Sequence, residues 1–198
     1  MNCAKTSKAR AESGFVLIAS LLLLLVLTFL AVGMYRSFRV QESMAANTKE
    51  KARAYQVAES TELYAEYLLT NDLSLLAQNA NCSTTAHLTV TPATVCSGVG
   101  VKIQLPTSGT PMTLLNGQVY STMTPSLNIE VNGGSSSAGG GTYYANPQFY
   151  IQYLGLSADG QGQIYQITAL GYGGNANAVA VVQSIFQLTS GIKNLGGL

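Results

Sequence analysis

Charge is what this chain has least of. Its ten basic and nine acidic side chains make up 10% of 198 residues, well below the roughly 25% of ordinary soluble domains. The net charge is +1 and the positive residues are spread along the chain, so no basic stripe exists to neutralise phosphates and binding of nucleic acid by charge alone is not expected. Histidine occurs once, at His87, with no acidic residue near it in sequence, and cysteine occurs only at Cys3, Cys82 and Cys96. These residues lack any compact ligand spacing, so no metal centre is expected. Neither H-E-x-x-H nor a phosphate loop of the G-x-x-x-x-G-K type is present, and Gly98-Val99-Gly100 lacks the setting of a dinucleotide motif. Asp159-Gly160 reads as a tight turn sooner than as a calcium loop. The expectation is a protein that is not an enzyme and carries no cofactor.

Against this polar poverty stands one apolar run, Phe15 to Tyr35 (FVLIASLLLLLVLTFLAVGMY), without a charged residue. Its roughly 21 residues suffice to cross a hydrocarbon core of about 30 Å as a helix. Residues 1–14 are hydrophilic and basic, with Lys5, Lys8 and Arg10, and read as an addressing segment. A cleaved secretory signal and a permanent single-span anchor are the plain alternatives. Ala31-Val32-Gly33 offers the first a small-x-small site, although a secretory apolar core is normally only about 7 to 15 residues long. Arg36, Arg39, Lys49, Lys51 and Arg53 beyond the run rival the basic residues ahead of it, so charge alone sets no orientation.

Proline is absent before Pro92, and the residues after Tyr35 are rich in Ala, Glu, Lys, Arg and Gln, so one helix is expected from Phe15 to about Leu69. Ala54, Val57, Ala58, Thr61, Ala65, Leu68 and Leu69 recur at gaps of three and four and define one buried face. Lys49, Glu50, Arg53, Glu59, Glu62 and Glu66 lie mostly off that stripe and read as a solvated face, with ion pairs between subunits as the alternative. Asn71 and Asp72 are stop residues, and Leu73 to Ala77 adds a helical turn. The middle of the chain offers short strands at His87–Thr91, Val101–Leu105, Thr113–Leu115, Val119–Met123 and Leu127–Val131, with Asn116-Gly117 expected as the hairpin turn between the third and fourth. Asn132 to Gly141 (NGGSSSAGGG) reads as a flexible spacer loop, with a partner-binding loop as the alternative. Gln148–Leu156, Gln163–Tyr172 and Ala178–Leu188, separated by glycine-rich turns, read as an antiparallel meander whose apolar face complements the helix stripe. The tyrosines that cluster here are expected to serve packing.

Glu12-Ser13-Gly14 followed by Phe15-Val16-Leu17-Ile18 places a small residue before a phenylalanine that opens an unbroken apolar helix. With Met44-Ala45-Ala46-Asn47, Ala54-Tyr55-Gln56-Val57-Ala58-Glu59, Tyr165-Gln166-Ile167-Thr168-Ala169 and Val181-Val182-Gln183-Ser184-Ile185-Phe186, this junction resembles the type IV pilins, and within them the minor pilins of the PilX family. The resemblance does not extend over Asn71 to Asn146. It implies an α+β pilin fold: leader 1–14, transmembrane or filament-core helix 15–35, amphipathic helix 36–70, and β-rich periplasmic domain 71–198. It also implies cleavage by a prepilin peptidase between Gly14 and Phe15 and N-methylation of Phe15. Where pilins usually carry a glutamate at the fifth mature position, this chain has Ala19. Glu12 and Ser13 likewise stand where the family more often has a basic residue.

With Cys3 in the segment expected to be removed, Cys82 and Cys96 remain as a pair in an oxidising compartment and are read as a disulfide, two buried thiols being the alternative. The function that the resemblance implies is a structural subunit held in the inner membrane until it enters a pilus. Such a subunit primes assembly near the tip and supports adhesion, twitching motility or DNA uptake. Its implied partners are other minor pilins, the major pilin, a tip-associated adhesin-like protein and the inner-membrane assembly platform. A pseudopilin of type II secretion and a single-span envelope binding module without a filament role are the alternatives.

Overall fold

The computed structural model describes residues 9–76, 80–82, 93–120, 127, 129–131, 133 and 141–189. The expected strand His87–Thr91, most of Asn132 to Gly141, and the greater part of 1–14 lie outside the described residues. Helix α1 covers Ala9–Asn71 and the short α2 covers Leu73–Leu76. Seven strands follow: β1 Val95–Ser97, β2 Ile103–Gln104, β3 Thr113–Leu114, β4 Gln118–Val119, β5 Gln148–Leu156, β6 Gly162–Tyr172 and β7 Val179–Thr189. The chain divides into two compact units, Met1–Ala46 and Asn47–Leu198.

In the first unit every described side chain from Gly14 to Ala46 is exposed. Ser20 and Thr28, the hydroxyls within the apolar run, donate back to the Leu17 and Leu25 carbonyls at 2.9 and 2.7 Å, so neither leaves a polar group unsatisfied in an apolar surrounding. This helix is long and apolar enough to cross a membrane.

The second unit has the α+β layout expected, with the later part of α1 packed on a sheet. Its three long strands are antiparallel and consecutive, in the order β5, β6, β7. The other edge of β5 is shared: β4 pairs with its first residues antiparallel, and β1 pairs with Ile151–Tyr153 in parallel. The sheet is therefore mixed where a purely antiparallel one was expected, because the cysteine-bearing segment returns alongside β5. A bulge between Tyr153 and Gly155 shifts the register with β6, and Gly155 meets its φ of 130°.

The stripe on α1 is buried as expected at Ala54, Val57, Ala58, Thr61, Ala65 and Leu69, and Tyr64 joins it. It meets the inward face of the sheet, and one core cluster holds Tyr64, Ala65 and Leu69 together with Phe149, Ile151, Tyr165, Ile167 and Ala169. Tyr64 stacks on Tyr120 at 3.9 Å between ring centroids, and burial, with the neighbouring Tyr120 and Tyr67 rings, pushes its hydroxyl up to about 12. On the opposite face Tyr150, Leu170 and Tyr172 pack with Leu114, Cys82 and Cys96. Their phenols reach the Val99 and Met112 carbonyls at 2.5 and 2.6 Å, so burying these tyrosines leaves no hydroxyl unpaired.

The inward residues of β6 and the turn after it shrink along the strand: Tyr165, Ile167, Ala169, Gly171, Gly173. The helix comes closest where they vanish. A β-carbon on Gly171 would lie 2.5 Å from both the Ala54 carbonyl oxygen and the Ala58 nitrogen, and one on Gly173 would lie 2.5 Å from the Glu50 carbonyl oxygen.

The expected hairpin at Asn116-Gly117 does not form. The chain turns there, but β3 pairs with β2 and β4 pairs with β5. The Asn116 side chain is buried instead: it accepts from Lys102 N at 2.8 Å and donates to the Cys82 and Gly100 carbonyls at 3.2 Å each. The buried carboxamide is thereby satisfied by three backbone groups outside the turn. Of Leu127–Val131, the described residues form only a bridge, from Val131 to Tyr143.

Substituting Gly171→Ala places a methyl against helix backbone that has no flexible end to yield, and is expected to cost about 1–3 kcal/mol. Gly100→Ala, whose nearest neighbour is the Gln152 side chain at 3.8 Å, is expected to stay within about 0.5 kcal/mol. Chemical denaturation of both variants checks the pair.

Candidate functional site

The largest unsatisfied feature is apolar. From Phe15 to Phe38 the large side chains are 45 to 75% exposed, an amount of apolar surface that water does not tolerate on a lone chain. Lipid or other apolar helices must cover it. Gly14, Phe15 and Ala19 all lie within α1 and are exposed.

Where α1 begins to pack on the sheet, a polar clasp fixes it. The Glu50 carboxylate accepts from Gly174 N at 2.5 Å and from Arg53 Nη1 at 3.0 and 3.1 Å. The other arm of the guanidinium donates to the Gly141 and Thr142 carbonyls at 2.7 and 3.0 Å, and the group stacks over the Tyr143 ring at 4.5 Å. The ion pair thus ties α1 to the β6–β7 turn through Glu50 and to Gly141 and Thr142 through the planar fork of Arg53, a task that the rigid geometry of arginine suits. Lys51 adds a bond to the Val179 carbonyl at 3.0 Å. Burial alone would raise the Glu50 carboxyl, but the Gly174 bond and the bonds and charge of Arg53 outweigh it and hold the group below 4.5.

The charged residues expected on a solvated face therefore divide. Lys49 and Glu59 are exposed, whereas Glu50 and Arg53 are partly buried partners within one chain. Glu62 is 7% exposed and accepts from Ser184 Oγ on β7, and Glu66 is half-buried beside it. Helical spacing alone hid this, because the sheet covers a wider arc of α1 than its alanines mark. Tyr64 was missed for the same reason.

Cys82 and Cys96 form a disulfide with their Cα atoms 5.6 Å apart. It joins the segment after α2 to β1, whose Ser97 N donates to the Ala80 carbonyl at 3.0 Å. Among the described residues no three His, Cys, Asp or Glu side chains gather as a metal site, and His87 lies outside them. Asp159 accepts from Ser157 Oγ and from Gln161 N, closing a turn.

Two family models match the chain. The one described as type IV pilus assembly protein PilX C-term spans residues 41–188, and the one described as PilX N-terminal spans residues 13–61. No curated protein and no solved structure matches.

Removing the disulfide with Cys82→Ser and Cys96→Ser is expected to cost roughly 2–5 kcal/mol, read by denaturation of natively exported protein. Arg53→Lys keeps the charge but loses the fork, and is expected to destabilise by about 1–2 kcal/mol and to speed hydrogen exchange at Thr142 and Tyr143. Because the Glu50 pKa is depressed in the folded chain, its contribution is present above the unfolded value and lost as pH falls through the folded one. Glu50→Gln should therefore remove part of the acid destabilisation below pH 4.5, measured as the slope of stability against pH.

Proposed function

Because the chain belongs to the type IV pilus PilX family, we propose that this minor pilin acts early in assembly, at or near the pilus tip, and is a structural subunit with no catalytic role. The observation that carries the reading is the union in one chain of a wholly exposed apolar helix and a domain clasped to the later part of that same helix. The apolar segment rests in the inner membrane before assembly and exchanges lipid for neighbouring apolar helices in the filament. Van der Waals packing of helices is the force available there. The domain Asn47–Leu198 is periplasmic before assembly and extracellular after it. Its partners are other minor pilins, the major pilin, a tip-associated adhesin-like protein and the assembly platform, through which it supports adhesion, twitching motility or DNA uptake.

Maturation begins with a prepilin peptidase cutting between Gly14 and Phe15, followed by methylation of the new amine on Phe15. Tip placement rests on Ala19. In most pilins the glutamate at this position docks onto the N-terminal amine of the subunit above. A carboxylate there carries a membrane cost, which insertion scales put at roughly 2.5–3.5 kcal/mol for a charge such as aspartate at a helix centre, less near an end. A subunit that starts the filament has nothing above it to dock onto, so alanine avoids the cost and loses nothing.

Gly14→Val is expected to block processing by crowding the scissile bond, leaving unprocessed chain in the membrane. Intact-mass measurement in a strain with active peptidase should give an N-terminus at methylated Phe15, and any other terminus refutes the assignment. Deletion should sharply reduce piliation, with gold label at filament ends in low copy number. Regular labelling along the shaft, or wild-type piliation without the protein, removes the tip reading.

A further inference from the structure

We propose that the outer edge of β7 is a strand-addition site, filled by an extended, uncharged segment of a different pilus protein. The sheet ends at β7, whereas the far edge of β5 is shared by β4 and β1, and Ala80 bridges onward to Cys96. Which backbone groups of β7 face outward follows from the bond that opens the strand. Gly173 N donates to the Ala178 carbonyl at 2.7 Å, so that carbonyl turns toward β6. Successive residues of a strand turn their N–H and C=O groups alternately to its two sides. The even-numbered residues from Ala180 to Leu188 therefore bond to β6, and Val181, Gln183, Ile185 and Gln187 turn theirs away from it. The Val179 carbonyl, outward by the same count, accepts from Lys51 Nζ at 3.0 Å. Beyond that bond, no group among the described residues meets the outward edge.

An edge of this length is normally blunted by a lysine, a proline or a bulge. β7 has none of them: its 11 residues hold an unbroken register with β6, and no Lys, Arg, Asp, Glu or Pro occurs among them. The chemistry of the edge selects its occupant. Each outward residue offers one donor and one acceptor at the spacing of a strand, and another extended backbone matches that row. No charged residue occurs in β5, β6 or β7, so a charged side chain on the incoming strand would find no counter-charge on these strands. Ser184 faces α1, where it bonds to Glu62, and the odd-numbered residues therefore lie on the other face. There Val181 and Ile185 are 40 and 70% exposed, and they favour aliphatic residues at alternate positions of the added strand.

Lys51 limits the site, because its bond occupies the outward carbonyl of Val179. The added strand thus lies along Val181 to Thr189. That it comes from a different protein rests on the reading that this chain acts in low copy at the tip, where no second copy lies beside it. Strand addition uses neither the apolar part of α1 nor the Glu50–Arg53 clasp, so it joins chains independently of helix packing.

A photo-reactive residue in place of Gln183, in the full chain in piliated cells, tests the site. One predominant adduct to a different pilus protein is expected, and its cross-linked peptide should lack charged residues. Ile185→Pro removes an N–H that makes no bond within the sheet, and a proline there is tolerated on an edge. It is expected to lower the adduct yield by about tenfold, through one lost hydrogen bond and the bulk of the ring, with the Cys82–Cys96 pairing intact. Should that variant lose the pairing, Ile185→Lys keeps every backbone group, sets a charge at the middle of the edge and should lower the yield in the same way. Adducts to a second copy of this chain, no protein adduct, or full yield in the folded variants overturns the strand-addition site. Gold labelling of the same cells separates this from the tip reading: label at filament ends without the adduct overturns the site alone, and the expected adduct with label along the shaft overturns the tip reading alone.

Discussion

The structure of the second unit depends on how close α1 comes to β6. A helix lies flat on a sheet only when side chains of similar size fill the gap along its length. Here they shrink from Tyr165 to Gly173, so the two backbones converge until the Gly171 and Gly173 positions have no room for a β-carbon. Helix backbone and glycine backbone in contact leave no methyl group to rearrange, so this end of the interface admits one arrangement. The Glu50–Arg53 clasp sits at that convergent end, and there Gly174 N, freed from strand pairing, meets the Glu50 carboxylate. The domain is thereby gripped next to the point where α1 leaves it.

Further along, the gap is wide enough for rings and for polar groups. Tyr64, Tyr120 and Phe149 fill part of it, and Glu62 and Ser184 occupy another part. One interface thus carries a tight, ion-paired end at Glu50 and Arg53 and a wider end filled by rings and by the Ser184–Glu62 bond. Acid weakens the first by protonating Glu50.

Much of this was legible in the residues. The unbroken run from Phe15 to Tyr35 marked a helix long and apolar enough to cross a membrane, and the three long strands alternated clearly enough to fall within one residue of their observed bounds. The cysteine pair followed from compartment chemistry. What stayed hidden was non-local. Nothing in Val95–Ser97 marks a strand until β5 lies beside it. Asn116 looked like a turn residue because its role as a buried bracket depends on Lys102, Cys82 and Gly100, all distant in sequence. Glu62 looked solvated because helical spacing does not report how wide an arc the sheet covers. The diminishing series on β6 was readable at a period of two and is the signal that would have located the close approach.

The central claim is that the exposed apolar part of α1 exchanges lipid for other helices in a filament. A photo-reactive residue in place of Leu24, which is 61% exposed, tests it directly in piliated cells. The account predicts covalent adducts to other pilin chains in the sheared filament fraction and lipid adducts in the membrane fraction. Lipid adducts alone, with no protein in the sheared filaments, would contradict it.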